Sequence, residues 1–359
     1  MRVATVVGNR PQFVKAAAVS RPLRARHEEI LIHTGQHHDP ELSTVFFDEL
    51  GVPTPDHWLG VAGAGNASQL ARMLRKLAPL LAQLAPDAVL VYGDTNSTLA
   101  AALAAADAAI PLVHVEAGMR SFDRTMPEER NRVLTDQLAR LLLCSTAAAA
   151  EQLRAEQAPG EAIVVGDVMV DVALATRERS MAIADRTLAG LDLRRGGYLL
   201  ATAHRAGNVD DPRRLEALVA LLEALEQPIV LPLHPRTRAR LRASGLLSRA
   251  QRAAQITAPL GYLEFAALLG NARAVLTDSG GVQKEAYLAG VPCVTLRAQT
   301  EWTETVAAGW NTLVDLDAQI AREALAQPRP ASHPPLYGDG NAGERVAGAL
   351  DALGSSLRM

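Results

Sequence analysis

Short apolar runs recur along the chain, each followed by a glycine-rich or polar turn and then a longer amphipathic stretch. An unbroken apolar run suits a strand buried on both faces of a parallel sheet, and the amphipathic stretch suits the crossover helix. In the first half the runs are 3–7, 29–33, 87–92, 111–115, 141–144 and 163–165. In the second half they are 198–202, 229–233, 254–257, 274–276 and 293–296. Helical stretches include 46–50, 68–84 with Asn66 or Ser68 as its cap, 212–226 with Pro212 in the first turn, 261–269 and a final one at about 343–353. The segment 166–171 reads as a hinge between two βα halves. The expectation is an α/β protein with two Rossmann-like parallel-sheet domains, 1–168 and 169–342, facing each other across one deep cleft.

The stretch 273–304 organises the second half. An apolar run ends at Asp278-Ser279-Gly280-Gly281 and an amphipathic helix follows. The glycines lack the Cβ atoms that keep a ligand off the backbone, and the first amides of a helix have no partner within it. Strand, tight turn and helix in that order suit a phosphate. The spacing is neither the dinucleotide fingerprint nor the P-loop.

Composition narrows the function. The 359 residues are 48% hydrophobic, enough for two full cores, and the net charge of −3 argues against bulk nucleic-acid binding. Cys144 and Cys293 lie within apolar runs and read as buried free thiols. The start MRVATVVG is not a signal peptide and no apolar run is of membrane-spanning length, so a soluble cytoplasmic protein is expected.

Polar residues gather after the strands. Arg10 and Lys15 follow the first run, Asp94 the third, and Glu116 the fourth. Glu128, Glu129 and Arg132 start a helix, where glutamates commonly serve only the helix dipole. Adjacent His37 and His38 before Asp39 offer a metal site or a plain polar loop, and no zinc-type spacing supports the metal. In the second half His204, Arg205, His234 and Arg236 stand near the Ser279–Gly281 turn as candidates for a diphosphate. Glu285, about one turn into the helix, can accept ribose hydroxyls or simply face solvent; Phe265 can cover a base or pack in the core. Several carboxylates opposite a phosphate site suggest proton transfer on a substrate whose leaving group is a nucleotide.

Taken together, GNRPQFVK (8–15), TGQH (34–37), VYGDTNST (91–98), HVEAGMRS (114–121), MPEERNR (126–132), TAHR (202–205), HPR (234–236) and LTDSGGVQKEA (276–286) resemble the non-hydrolysing UDP-N-acetylglucosamine 2-epimerase family over nearly the whole chain. The resemblance implies a GT-B architecture in which the last helix, about 343–359, packs back on the first domain. It implies catalytic roles for Asp94, Glu116, Glu128, Arg132 and His204. Substrate contacts are implied at Arg10, Lys15, Arg205, His234, Arg236, Phe265, Ser279, Gly280, Gly281 and Glu285. The reaction implied is elimination of UDP to a 2-acetamidoglucal and its re-addition on inverted C2, interconverting UDP-GlcNAc and UDP-ManNAc for a cell-surface polysaccharide. No metal or redox cofactor is needed for it. A cytoplasmic homodimer that binds neither nucleic acid nor membrane is also implied.

The chain departs from the family pattern in places. Gly207 stands where a glutamate often follows the TAHR motif, as in HRxEN, Asp39 where activated bacterial members carry a second glutamine, and TEWTE (300–304) where TERPE is common. The stretch after TGQH resembles members acting on UDP-2,3-diacetamido-2,3-dideoxy-glucuronate and archaeal members, which makes that uronate the alternative substrate. A UDP-sugar glycosyltransferase, a hydrolysing epimerase and a non-catalytic UDP-sugar sensor remain as rival readings.

Overall fold

In the computed structural model, residues 1–36, 49–63 and 65–357 are described. The paired histidines, Asp39 and the helix expected at 46–50, its last two residues aside, lie outside them. The chain divides into two compact units, Met1–Ala175 with Pro335–Met359, and Thr176–Pro334. The first boundary falls inside a helix, Val168–Gly190, that occupies the segment read as a hinge.

The first unit contains β1 (Arg2–Val7), β2 (Glu28–His33), β3 (His57–Trp58), β4 (Ala88–Tyr92), β5 (Leu112–Ala117), β6 (Leu141–Cys144) and β7 (Glu161–Val164). Among the described residues they form one parallel sheet in the order β3-β2-β1-β4-β5-β6-β7. β1 and β4 are apolar at nearly every position because helices cover both faces. On one face, helix Asn96–Asp107 packs through a run of alanines, and Thr95 with Thr98 forms its capping box. On the other, helix Arg10–Arg24 joins the final helix Ala342–Ser356. Val346, Leu350 and Leu353 of that last helix are buried against Val3, Phe13, Val19 and Leu23, each contributing about 1.5–3 kcal/mol. Gly343 permits the approach, since a Cβ there would lie 2.2 Å from the Ala18 carbonyl oxygen.

The second unit contains β8 (Leu199–Thr202), β9 (Ile229–Pro232), β10 (Gln255–Thr257), β11 (Ala274–Thr277), β12 (Cys293–Thr295) and β13 (Asn311–Leu313). They form a parallel sheet in the order β10-β9-β8-β11-β12-β13. Both sheets therefore reverse direction of growth at one place, between β1 and β4 and between β8 and β11. Ligands of open parallel sheets collect outside the carboxyl ends of the strands at such a reversal. No helix among the described residues is long and apolar enough to cross a membrane.

Candidate active site

In the first unit the reversal point carries the predicted acids. Arg10 opens helix Arg10–Arg24, whose cap Asn9 accepts from the Gln12 amide at 3.3 Å. Lys15, in the same helix, forms an ion pair with Glu116 at the end of β5. Asp94 follows β4 and pairs with Arg132 of helix Pro127–Leu138, while Asn131 of that helix donates to the Asp94 carbonyl at 3.0 Å. Glu128 stands half-buried at the start of the helix and makes no hydrogen bond or ion pair among the described residues. Three elements thus carry two carboxylates matched by cations and a third with no ion pair among the described residues.

The backbone is shaped for this. Gly93 takes φ +60°, and a Cβ there would lie 3.1 Å from Lys15 Nζ and 3.2 Å from Glu116 Oε2. A side chain there would be strained by the positive φ and would press that pair aside by a few tenths of an ångström. Glu116 itself takes φ +70°, where β5 slips register against β6 between Val115 and Ala117. A non-glycine residue held in that region costs about 1–3 kcal/mol and persists where surrounding structure over-determines it. Glu129, expected to serve the helix dipole, is buried and has another task. Its carboxylate accepts from the Ser121 amide and hydroxyl and from the Phe122 amide, all at 2.9 Å, and lies 3.2 Å from Arg132. It anchors the loop leading into the helix.

In the second unit helix Gly280–Leu288 begins directly after β11, with Ser279 as its cap position and no side-chain cap bond. Its leading amides remain available to an anion. A Cβ at Gly280 would lie 2.4 Å from Glu301 Oε1 and force that side chain to move, whereas one at Gly281 would have open space around it. Asp278 is fully buried and accepts from the amides of His204 at 3.1 Å and Arg205 at 3.0 Å, and from Asn208 at 3.2 Å. This carboxylate ties the loop after β8 to the loop after β11. His204 is half-exposed, its Nδ1 3.7 Å from Asp278, and its ring centroid lies 6.0 Å from that of His234. Arg205 lies 3.4 Å from Glu301, and Arg297 lies 2.9 Å from the same carboxylate. Burial, with the like charge of Arg205 nearby, pushes the Arg297 guanidinium below its ordinary value.

The remaining candidates are placed differently. His234 caps helix Pro235–Ala243, accepting from the Arg236 amide at 3.2 Å, and Arg236 pairs with Asp210 at the surface. Phe265 is 5% exposed and belongs to the core with Tyr198, Leu268 and Val275. Glu285 is half-buried on the helix that starts at the glycine turn. Sequence reasoning missed Asp278, Arg297 and Glu301. A lone aspartate between an apolar run and two glycines was the signal available for the first; Arg297 precedes and Glu301 lies within an unusual TEWTE, and neither carries a spacing rule. Both cysteines are buried free thiols, with burial pushing each up to about 12.

The family model described as UDP-N-acetylglucosamine 2-epimerase matches residues 21–351. A UDP-N-acetylglucosamine 2-epimerase homolog of Methanococcus maripaludis is 44% identical over 98% of this chain and 100% of its own length. The UDP-2,3-diacetamido-2,3-dideoxy-D-glucuronate 2-epimerase of Pseudomonas aeruginosa is also 44% identical, again over 98% of this chain and 100% of its own. The crystal structure of Methanocaldococcus jannaschii UDP-GlcNAc 2-epimerase in complex with UDP-GlcNAc and UDP is similar at a TM-score of 0.90 and 37% identity, covering 98% of this chain and 100% of that one.

Proposed function

Since this chain belongs to the UDP-N-acetylglucosamine 2-epimerase family, we propose that it is a non-hydrolysing nucleotide-sugar 2-epimerase, interconverting UDP-GlcNAc and UDP-ManNAc. The observation that carries the reading is the gathering of Asp94, Glu116 and Glu128 with Lys15 and Arg132 at one strand reversal. Inverting a carbon that bears one hydrogen needs a group to take the proton on one face and a group to return it on the other. In this reading a carboxylate takes the C2 proton as the C1–O bond to UDP breaks, giving 2-acetamidoglucal and UDP. UDP then adds back to C1 and C2 is protonated on the opposite face. Glu128, with no ion pair among the described residues, is assigned the proton exchange; Asp94 and Glu116 sit beside Arg132 and Lys15, which balance charge as it moves.

The second unit is assigned the diphosphate. The leading amides of helix Gly280–Leu288 and Arg205 supply donors that strengthen as UDP gains charge in leaving. His204, at the same strand reversal, is assigned to the departing oxygen, and Glu285 to the ribose. The alternative substrate, UDP-2,3-diacetamido-2,3-dideoxy-glucuronate, is favoured by the 44% identity to the Pseudomonas enzyme. A cytoplasmic homodimer belongs to the same reading, and light scattering on the purified protein tests the dimer.

Incubation with each UDP-sugar in D2O tests the assignment. Deuterium at C2 of both substrate and epimer, with no free sugar, supports it, and the sugar that exchanges faster names the substrate. Sugar transferred to an acceptor without deuterium identifies a transferase, free N-acetylmannosamine a hydrolysing epimerase, and tight UDP binding without any turnover a sensor.

A further inference from the structure

His114 lies in the middle of β5, fully buried, at the junction of every element that carries a candidate acid. Its Nε2 is 2.7 Å from the carbonyl oxygen of Gly93 and its Nδ1 is 2.7 Å from Asp136 Oδ1. A carbonyl oxygen only accepts, so Nε2 must carry a proton. The other side is set by Asp136, whose second oxygen accepts from the Gly118 amide at 3.2 Å and lies 2.8 Å from Arg120. Burial would raise the Asp136 carboxyl, but the charge and hydrogen bond of His114, and then those of Arg120, outweigh it and hold the group below its ordinary value. With the Arg120 guanidinium and the Gly118 amide already placed on Asp136 as donors, the carboxylate faces His114 as an acceptor, so Nδ1 carries a proton as well. Arg120 in turn bonds Glu156 through two nitrogens, at 2.8 and 2.5 Å. Two cations and two anions alternate with their charge balanced, the chain running from buried His114 to the partly exposed Glu156.

The ends of this chain of bonds are what matter. The Gly93 carbonyl belongs to the turn that presents Asp94. His114 and Gly118 bracket the register slip where Glu116 sits at φ +70°. Asp136 stands on the helix that carries Glu128 and Arg132. A single imidazole therefore cross-links the three pieces of backbone from which the acids project.

We propose that His114, doubly protonated, is a positioning residue: it clamps the Gly93 carbonyl to Asp136 and so fixes the mutual placement of Asp94, Glu116 and Glu128 without touching substrate. A neutral imidazole would turn a lone pair toward either the carbonyl or the carboxylate and release one side of the clamp. The consequence for catalysis rests on the epimerase reading; the protonation state does not.

The test has two arms. Protein labelled with 15N-histidine is examined by NMR at pH 8, with His114→Gln identifying the ring among the 9 histidines. The expected result is two slowly exchanging ring N–H signals lost together in the variant, and one N–H in their place overturns the proposal. The same variant is then assayed by C2 exchange in D2O. Exchange at saturating UDP-sugar should fall about 100-fold, as expected for acids displaced by about an ångström, with KM and UDP affinity within about twofold of the parent. An undiminished rate overturns the proposal, as does a loss matched by an equal loss of UDP-binding sites, which marks simple unfolding. If His114→Gln does not fold, Asp136→Asn takes its place. A parent protein inactive on every UDP-sugar would defeat the epimerase reading while the ring signals still decide the clamp.

Discussion

The two units share a strand order and a place for chemistry, yet they handle charge in opposite ways. At its reversal point the first unit sets carboxylates against cations and buries the supporting network, with Asp136 and His114 fully shielded. The second unit leaves Gly280 half-buried and Gly281 exposed at a helix start, and ties its loops to one buried aspartate through the amides of His204 and Arg205. A site that moves protons needs groups whose positions are over-determined. A site that grips a diphosphate needs donors, and it tolerates solvent. On the proposed reading, the same architecture serves as a stiff acid–base wall in one unit and an anion cradle in the other.

The sharpest break of this contrast comes from the acids. Asp94→Asn and Glu116→Gln should each lower C2 exchange by about 10²–10⁴-fold while leaving UDP affinity near that of the parent, read by isotope exchange and calorimetry. If UDP affinity fell in step with rate, the division between the units would be lost. The next largest effect concerns the buried network. Asp136→Asn should destabilise the protein by about 3–5 kcal/mol in denaturant melts, because it leaves His114 and Arg120 facing a neutral amide.

Its pH dependence has a definite sign. The folded-state value of Asp136 lies below its ordinary 3.8, so its stabilisation is present above that value and is lost as the pH falls through the lowered one. The acid limb of the stability profile should be shallower in Asp136→Asn and little changed by salt. Asp210 of the second unit is also lowered, chiefly by its hydrogen bond to Arg236, but that pair lies at the surface and salt should erase its contribution.

Smaller effects sharpen the cradle. Arg205→Ala should weaken UDP binding by about 10–100-fold, the loss of a charged hydrogen bond, with turnover at saturation largely kept. Arg236→Ala should weaken it by only about threefold, since its guanidinium is already engaged by Asp210 at the surface. Equal losses in these two variants would mean that both arginines reach the phosphates.

Much of this was legible in the sequence because parallel strands are written as apolar runs and their carboxyl ends as the first polar residues after them. Asp94, Glu116, the Ser279–Gly281 turn and the two-domain α/β class are of that kind. What was illegible has physical reasons. β3 is the two residues His57–Trp58, paired at the edge of β2, and such a strand is made by register with its neighbour rather than by any local pattern. Helix Val168–Gly190 lacks a strong amphipathic stripe, so its first residues, within 166–171, read as a hinge. His114 sits inside an apolar run, where one polar letter looks like an interruption and only the partners at Gly93 and Asp136 reveal its use. Phe265, weighed between base cover and core packing, lies in the core.

One measurement bears most directly on the division of labour. C2 hydrogen–deuterium exchange is followed in D2O at rising UDP-sugar concentration for Asp94→Asn and Arg205→Ala side by side. The account predicts that the arginine variant climbs back to near the parent rate at saturation while the aspartate variant stays flat. Recovery of both, or of neither, would contradict it.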